Sequence, residues 1–213
     1  MEAVSKLETV LRSVGIDDRL TIIKVRYGLE VVKSEAIKIM VLVVIFILLG
    51  HLKEFVFVTA MLFPLRHFSG GAHMKTNLGC FVFSLAFLTT SIVILPRLSL
   101  PAYMLFAFLA ASSVLIAMLS PVTSYKRPIK AASHYKALKQ KTLLFVLIYI
   151  TVLVILWRLA IWNYFVVGVW VVTLHLLQLV ATWAFRRWKK KGDEKNVAEN
   201  QKMEIGTVRS SGD

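Results

Sequence analysis

Long apolar runs separated by short polar linkers constrain this chain more than any other feature. A helix needs about 20 apolar residues to cross the hydrocarbon core of a bilayer, which is about 30 Å thick. Hydrophobic residues make up 57% of the 213 positions, against about 45–50% in soluble domains. The sequence therefore predicts an all-α polytopic membrane bundle of about six segments, at about 37–50, 55–65, 78–95, 101–119, 142–157 and 162–184.

Basic residues are concentrated in alternate linkers. The linker of residues 120–141 carries six Lys and Arg residues, and five more follow the last run at 186–191. The linkers at 51–54, 96–100 and 158–161 carry one each. Because cytoplasmic loops of membrane proteins carry an excess of Lys and Arg, the alternation predicts six passes with both termini in the cytoplasm.

The first two apolar runs are short, and each falls within the size range that is typical of re-entrant or interfacial segments, about 10–14 residues. They predict a hairpin that enters the bilayer and returns. A single tilted helix over residues 36–58 is the alternative, and it would shift the sidedness of the linkers that follow.

The two ends of the chain differ from its membrane body. In residues 1–35, apolar side chains recur at helical spacing among charges, which predicts a cytoplasmic amphipathic arm lying on the membrane surface. The transmembrane domain is assigned to residues 36–188. Residues 189–213 are polar, charged and free of aromatic side chains, a composition typical of a disordered tail.

The membrane body lacks acidic side chains. No Asp or Glu lies between Phe55 and Gly192, whereas fifteen Lys and Arg residues do. This distribution excludes paired catalytic carboxylates, carboxylate metal cages and a Ser-His-Asp triad from that stretch. The basic linkers are explained by membrane topology, and the sequence contains no nucleic-acid-binding motif, so no nucleic-acid partner is predicted.

The reactive side chains are concentrated in one segment, residues 64–80, which reads PLRHFSGGAHMKTNLGC. It holds two of the five histidines and the only cysteine, Cys80. Non-helical backbone survives at membrane depth only where it is buried in protein or faces a water-filled cavity. The pair Gly70-Gly71 therefore predicts a re-entrant or cavity-lining loop.

His73 and Cys80 are the candidate base and nucleophile. On one straight helix they would lie about 10.5 Å apart along the axis, too far for the hydrogen bond that activates a nucleophile. A catalytic dyad therefore requires His73 to precede the helix and fold back. Thr76 or Asn77 suits the helix N-cap, which places Cys80 in a first turn where the helix dipole favours a thiolate.

Other residues of the segment are candidates for supporting roles. Arg66 and Lys75 would add positive charge near the thiolate, and Ser69, Gly70 and Gly71 are candidates for substrate binding. Two simpler interpretations stay open, since the cysteine can be a packing residue and the histidine an interfacial one. A zinc site needs about four ligands and the other histidines are scattered along the chain, so no metal or other cofactor is predicted.

His175 and Gln178 are polar residues within the last apolar run. Residues three apart lie on one face of a helix. Their position predicts a hydrogen bond to a neighbouring helix rather than a catalytic role.

The pattern Arg66-x3-Gly70-Gly71-x-His73-x6-Cys80 resembles the signature of the accessory gene regulator B family. These proteins are bacterial membrane endopeptidases that process quorum-sensing propeptides.

The resemblance extends beyond this signature. Tyr27-Gly28-Leu29-Glu30, ahead of the first apolar run, and the proline-containing loop at 121–129 are also similar to the family. The resemblance covers most of residues 20–190.

The resemblance implies a role for each signature residue. Cys80 would attack a peptide carbonyl near the C-terminal side of a short propeptide, and His73 would act as general base. A Cys or Ser of the substrate would then close the thioester into a thiolactone or lactone. Arg66 would place the substrate or stabilise the thiolate.

The resemblance also implies partners and a location. The substrate would carry an amphipathic leader and an acidic C-terminal tail, and the protein would be a homodimer in the bacterial cell membrane. Two other functions fit the residues. One is a transporter of peptides or small anions with a structural cysteine, and the other is a non-enzymatic membrane protein that uses residues 66–80 for docking.

Overall fold

The computed structural model describes residues 18–71, 76–122 and 132–210, without the side chains of residues 132, 134, 186 and 190–210. These residues form helices and no strand, which confirms the all-α prediction. The six α-helices are α1 (Arg19–Leu48), α2 (Leu52–Ser69), α3 (Asn77–Thr89), α4 (Ala102–Leu119), α5 (Ala132–Arg158) and α6 (Trp162–Ser210).

Four of the described helices are long and apolar enough to cross a membrane. They cover Asn77–Arg97, Ala102–Leu119, Tyr135–Arg158 and Trp162–Lys189. Helices α1 and α2 are not among them. The chain is therefore a helical membrane bundle in which the first helix pair differs from the rest, as the short first apolar runs predict.

Helices α1 and α2 form a hairpin. The chain turns at Gly50, whose φ of 72° favours glycine, and the rings of Phe46 and Phe55 stack across the turn at 5.0 Å. A single helix through residues 36–58 is therefore excluded. The amphipathic pattern of residues 1–17 lies outside the described residues.

Helix α1 begins at Asp18, whose side chain accepts hydrogen bonds from the backbone N–H groups of Leu20 and Thr21 at 3.2 and 3.1 Å. The Thr21 hydroxyl donates to the same carboxylate at 2.6 Å. These bonds, the hydroxyl first among them, stabilise the ionised form and lower the pKa of Asp18.

The membrane span that begins with α3 is not regular throughout. A π-helical turn follows over Thr90–Ile94, and a 3₁₀ turn over Leu95–Arg97 ends the span. The Leu95 N–H donates to the carbonyl of Thr90, five residues back. Ser91 and Ile92 in the wide turn are buried.

Helix α6 is the centre of the bundle and packs against α2, α4 and α5. Within its spanning window 67% of residues are buried inside the protein, against 22–28% for the other three spans. At Gly168 a side chain would overlap Leu153 of α5, so glycine permits the close approach of these two helices. A polar side chain in this part of α6 is therefore enclosed by protein rather than lipid.

Helix α6 continues to Ser210, past residue 189, where the sequence predicts the start of a disordered tail. The segment contains Ala, Glu, Lys, Gln and Met, which are good helix formers. These residues favour a helix, and the disorder of the tail stays a prediction.

A candidate active site and an adjoining buried polar cluster

Cys80 lies in the first turn of α3. The N-cap is Thr76, whose extended backbone lets its hydroxyl oxygen accept a hydrogen bond from the Gly79 N–H at 3.1 Å. The Cys80 N–H donates to the Thr76 carbonyl at 3.1 Å. These bonds confirm the predicted cap and the predicted position of the cysteine. Its side chain is half-buried and carries a free thiol.

Two residues predicted for the site, His73 and Lys75, lie outside the described residues. The structure thus describes the helix that carries the candidate nucleophile but not the candidate base. The contact between His73 and Cys80 stays a prediction.

The glycine pair forms a non-helical turn at the end of α2, in which Gly71 is buried and Gly70 is half-buried. Gly70 has a φ of 90° and a ψ of −172°, and it forms an isolated parallel bridge with Val122. The Val122 N–H donates to the Ser69 carbonyl at 2.9 Å. A side chain at Gly70 would collide with the Val122 carbonyl oxygen, so this close approach of two backbones requires glycine.

Non-helical backbone is therefore present at the predicted glycine pair and packs against protein. The re-entrant or cavity-lining loop stays a prediction. The partner of the glycine pair is the segment Ser120–Val122, which follows α4, and all three of these residues are buried. Burial in protein is one of the two conditions under which irregular backbone persists at membrane depth.

Ser69 and His175 form a buried hydrogen bond between α2 and α6. The Ser69 Oγ lies 2.7 Å from His175 Nε2 and 2.6 Å from the Leu65 carbonyl oxygen. A hydroxyl has one proton and a carbonyl cannot donate, so the Ser69 proton goes to Leu65. His175 Nε2–H must then donate to Ser69 Oγ. The predicted hydrogen bond from His175 to a neighbouring helix is confirmed.

The tautomer of His175 follows from this bond. With the proton on Nε2, Nδ1 is an acceptor. His175 is fully buried and Nδ1 has no hydrogen-bond partner among the described residues. The histidine thus directs an unpaired acceptor into the interior of the bundle.

Gln178 lies one turn further along α6 and is 6% exposed. Its Nε2 is buried and unpaired within the described part of the chain. A Cβ atom built on Gly71 would lie 3.0 Å from this Nε2 and 3.3 Å from both Cγ and Nε of Arg66. The glycine turn, the Arg66 side chain and the Gln178 amide therefore meet at one place.

Three of the described site residues cluster with residues of α6, a helix that the sequence did not assign to the site. Arg66, Gly71 and Ser69 meet the α6 residues His175 and Gln178. Cys80 makes no hydrogen bond to this cluster. One sequence signal indicated that α6 contributes to the cluster, since two polar residues lie within its apolar run. The identity of the partner, 106 residues away, is set by helix packing and has no local signal.

The same parts of the chain do not gather metal ligands. Within residues 18–71, 76–122 and 132–210, no three His, Cys, Asp or Glu side chains come together in a way that could hold a metal ion.

The fold and site define an integral membrane protein with a free cysteine in a capped first turn, preceded by a buried glycine turn. Residues 6–179 match the family model described as Accessory gene regulator B. The chain belongs to this family.

Three curated relatives are similar to parts of the chain. The Accessory gene regulator protein B of Staphylococcus carnosus is 28% identical over 129 residues, which are 61% of this chain and 66% of the relative. An AgrB-like protein of Clostridium beijerinckii is 27% identical over 127 residues, 58% of this chain and 63% of the relative. The Accessory gene regulator protein B of Staphylococcus haemolyticus is 30% identical over 138 residues, 65% and 71% of the two chains.

The matched region thus spans slightly less than two thirds of the first two relatives. No solved structure matches the chain significantly.

Proposed function

We propose that this protein is a membrane-embedded cysteine endopeptidase that processes a short quorum-sensing propeptide in the bacterial cell membrane. The observation that supports this most directly is the position of Cys80 in the capped first turn of α3, in a chain of the accessory gene regulator B family. Unpaired N–H groups and the positive end of the helix dipole favour a thiolate at this position.

The reaction begins with proton transfer from the Cys80 thiol to the imidazole of His73. The sulfur anion attacks a carbonyl carbon of the propeptide, a carbon–sulfur bond forms, and the peptide carbon–nitrogen bond breaks. The departing amine takes the proton from His73. The product of this half-reaction is a thioester between Cys80 and the N-terminal part of the substrate.

A second nucleophile then releases the thioester. A Cys or Ser side chain within the substrate loses its proton to His73 and attacks the thioester carbon, and the Cys80 thiol is restored. The product is a cyclic thiolactone or lactone, whereas attack by water gives an open acid. Exclusion of water by the bundle favours ring closure.

The charge of the membrane body supports a substrate with an acidic C-terminal tail. Fifteen Lys and Arg residues and no Asp or Glu lie between Phe55 and Gly192, and complementary charge guides association. Arg66, in the last turn of α2, is assigned to substrate placement together with Lys75. An amphipathic leader holds the substrate on the bilayer, and two copies of the chain form a homodimer with all termini cytoplasmic.

Replacement of the nucleophile in the native host tests the proposal. The gene is removed and returned as wild type, as Cys80→Ala or as Ser84→Ala. Ser84 lies one turn further along α3 and is half-buried like Cys80. Peptides in cells and medium are then compared by mass spectrometry. We expect a processed peptide and its released C-terminal fragment with wild type and Ser84→Ala, and only the intact precursor with Cys80→Ala.

The transporter alternative gives a different result. In that case the Cys80→Ala strain still produces the processed peptide at the wild-type level, and removal of the whole gene leaves the processed peptide inside the cells. That outcome would refute the peptidase mechanism.

A further inference from the structure

The buried cluster beside the glycine turn contains a hydrogen-bond acceptor and a donor without partners in the described part of the chain, His175 Nδ1 and Gln178 Nε2. Both residues are more than nine-tenths buried. Unpaired buried polar groups destabilise a fold. We therefore expect these two atoms, which lie one helical turn apart, to serve a function.

The two atoms are complementary to a single residue of an extended peptide. Residues three apart on a helix have neighbouring side chains, so His175 Nδ1 and Gln178 Nε2 lie on the same face of α6. An extended residue directs its own N–H and C=O to the same side, as in the hydrogen-bonded pairs of antiparallel strands. A backbone N–H can therefore donate to the histidine while the carbonyl accepts from the glutamine amide.

Ions satisfy only half of this pair. An anion accepts hydrogen bonds and leaves the His175 acceptor unpaired. A cation leaves the Gln178 donor unpaired. An amide and a water molecule each supply both a donor and an acceptor, so the cluster favours a neutral ligand. A peptide backbone is the neutral ligand that the proposed function provides.

We propose that His175 and Gln178 form a buried subsite that binds the backbone of one extended residue of the substrate peptide. This proposal rests on the proposed peptidase function and adds a binding role for α6. Ser69 holds the imidazole in the tautomer with Nδ1 as acceptor. Gly71 leaves the Gln178 amide facing the turn without an intervening side chain.

The backbone next to the two unpaired atoms is non-helical at the glycine turn. Gly70 is already paired with Val122 in a parallel bridge, so a short piece of strand-like backbone lies next to the cluster.

The single cysteine of the chain allows a test without knowledge of the natural substrate. The full-length protein in nanodiscs is alkylated with iodoacetamide or with acetyl-trialanyl chloromethyl ketone, and the rates are followed by intact mass. Each rate is divided by the rate of the same reagent with glutathione. The ratio of the two normalised rates is the peptide preference of Cys80.

Two substitutions remove the proposed contacts, and a third serves as control. Gln178→Leu removes the donor, and His175→Phe removes the acceptor. Leu177→Met changes an exposed neighbour on the same helix. We expect each of the first two to lower the peptide preference about tenfold, the size of one buried hydrogen bond. The control should keep the preference, and the iodoacetamide rate should stay the same in all variants.

Thermal unfolding separates binding from a structural role. Gln178→Leu replaces an unpaired buried amide by an apolar side chain of similar size, so we expect its Tm to equal or exceed that of wild type. If Gln178→Leu loses the peptide preference and has a Tm equal to or above that of wild type, the result supports the subsite. It does so even if His175→Phe fails to fold. A loss of preference together with a lower Tm for Gln178→Leu overturns it, because the amide is then structural.

Failure of the subsite and failure of the proposed function give different results. If the folded variants keep the peptide preference of the wild type, the subsite is overturned and the proposed peptidase function still holds. This result is expected if only water binds between His175 and Gln178. The absence of any preference in the wild type contradicts a peptide site at Cys80 and overturns both proposals.

Discussion

Substitution of Gly70 by alanine tests the turn on which the candidate site is built. The residue has a φ of 90°, where an L side chain costs about 1–3 kcal/mol. The new Cβ would also collide with the Val122 carbonyl oxygen. Val122 must then move, and its 2.9 Å hydrogen bond to Ser69 is worth about 0.5–1.5 kcal/mol. We expect Gly70→Ala to lower the free energy of unfolding by about 2–4 kcal/mol.

Two other glycines separate the contributions. Gly50 has a φ of 72° but no atom within 4 Å of the position of a Cβ, so Gly50→Ala should cost only the backbone strain, about 1–2 kcal/mol. Gly28 lies in α1 with open space around it, and Gly28→Ala should stabilise the protein by about 0.5–1 kcal/mol.

Unfolding of the purified variants in mixed detergent micelles gives the three values under the same conditions. The expected order of stability is Gly28→Ala, wild type, Gly50→Ala and Gly70→Ala. An equal loss for Gly50→Ala and Gly70→Ala would show that the collision with Val122 does not occur. The pairing of the glycine turn with residues 120–122 would then be wrong.

Two further substitutions test the hydrogen bonds around the site. Thr76→Ala removes the side-chain cap of α3. We expect the free energy of unfolding to fall by about 1 kcal/mol in the same assay and hydrogen exchange at the Gly79 amide to become faster. An unchanged exchange rate would argue against the cap. Ser69→Ala leaves the buried Nε2–H of His175 without its acceptor and should lower the free energy of unfolding by about 1–3 kcal/mol. The double substitution His175→Phe with Ser69→Ala should cost less than the sum of the two single substitutions. A double-mutant cycle measures this coupling. Strict additivity would contradict the Ser69–His175 bond.

Local sequence patterns predicted the helices and the beginning of α3. Apolar runs mark the four spanning helices because burial in lipid requires continuous apolar surface. The cap at Thr76 was predictable because its hydroxyl bonds to an amide only three residues away. The glycine pair likewise indicated a non-helical turn, since glycine tolerates conformations that other residues avoid.

Contacts between distant parts of the chain were not predictable in the same way. The sequence marked His175 as a residue that needs a polar partner, but nothing local identifies Ser69. The pairing of Gly70 with Val122 also depends on where α2 and α4 end in space. These partners are selected by the packing of α6 against its neighbours, which a pattern within one helix does not contain.

The wide turn over Thr90–Ile94 changes how residues should be counted along its membrane span. A π turn holds one residue more than an α turn, so the side chains beyond it are rotated by about 100° relative to a continuous α-helix. A helical wheel drawn from Asn77 through Arg97 would therefore assign its last residues to the wrong face. Removal of one residue from the turn would close it into a regular helix and leave both flanking faces where they are. A one-residue gap in a comparison of homologues is therefore structurally acceptable here, inside a membrane span, although gaps are ordinarily moved into loops.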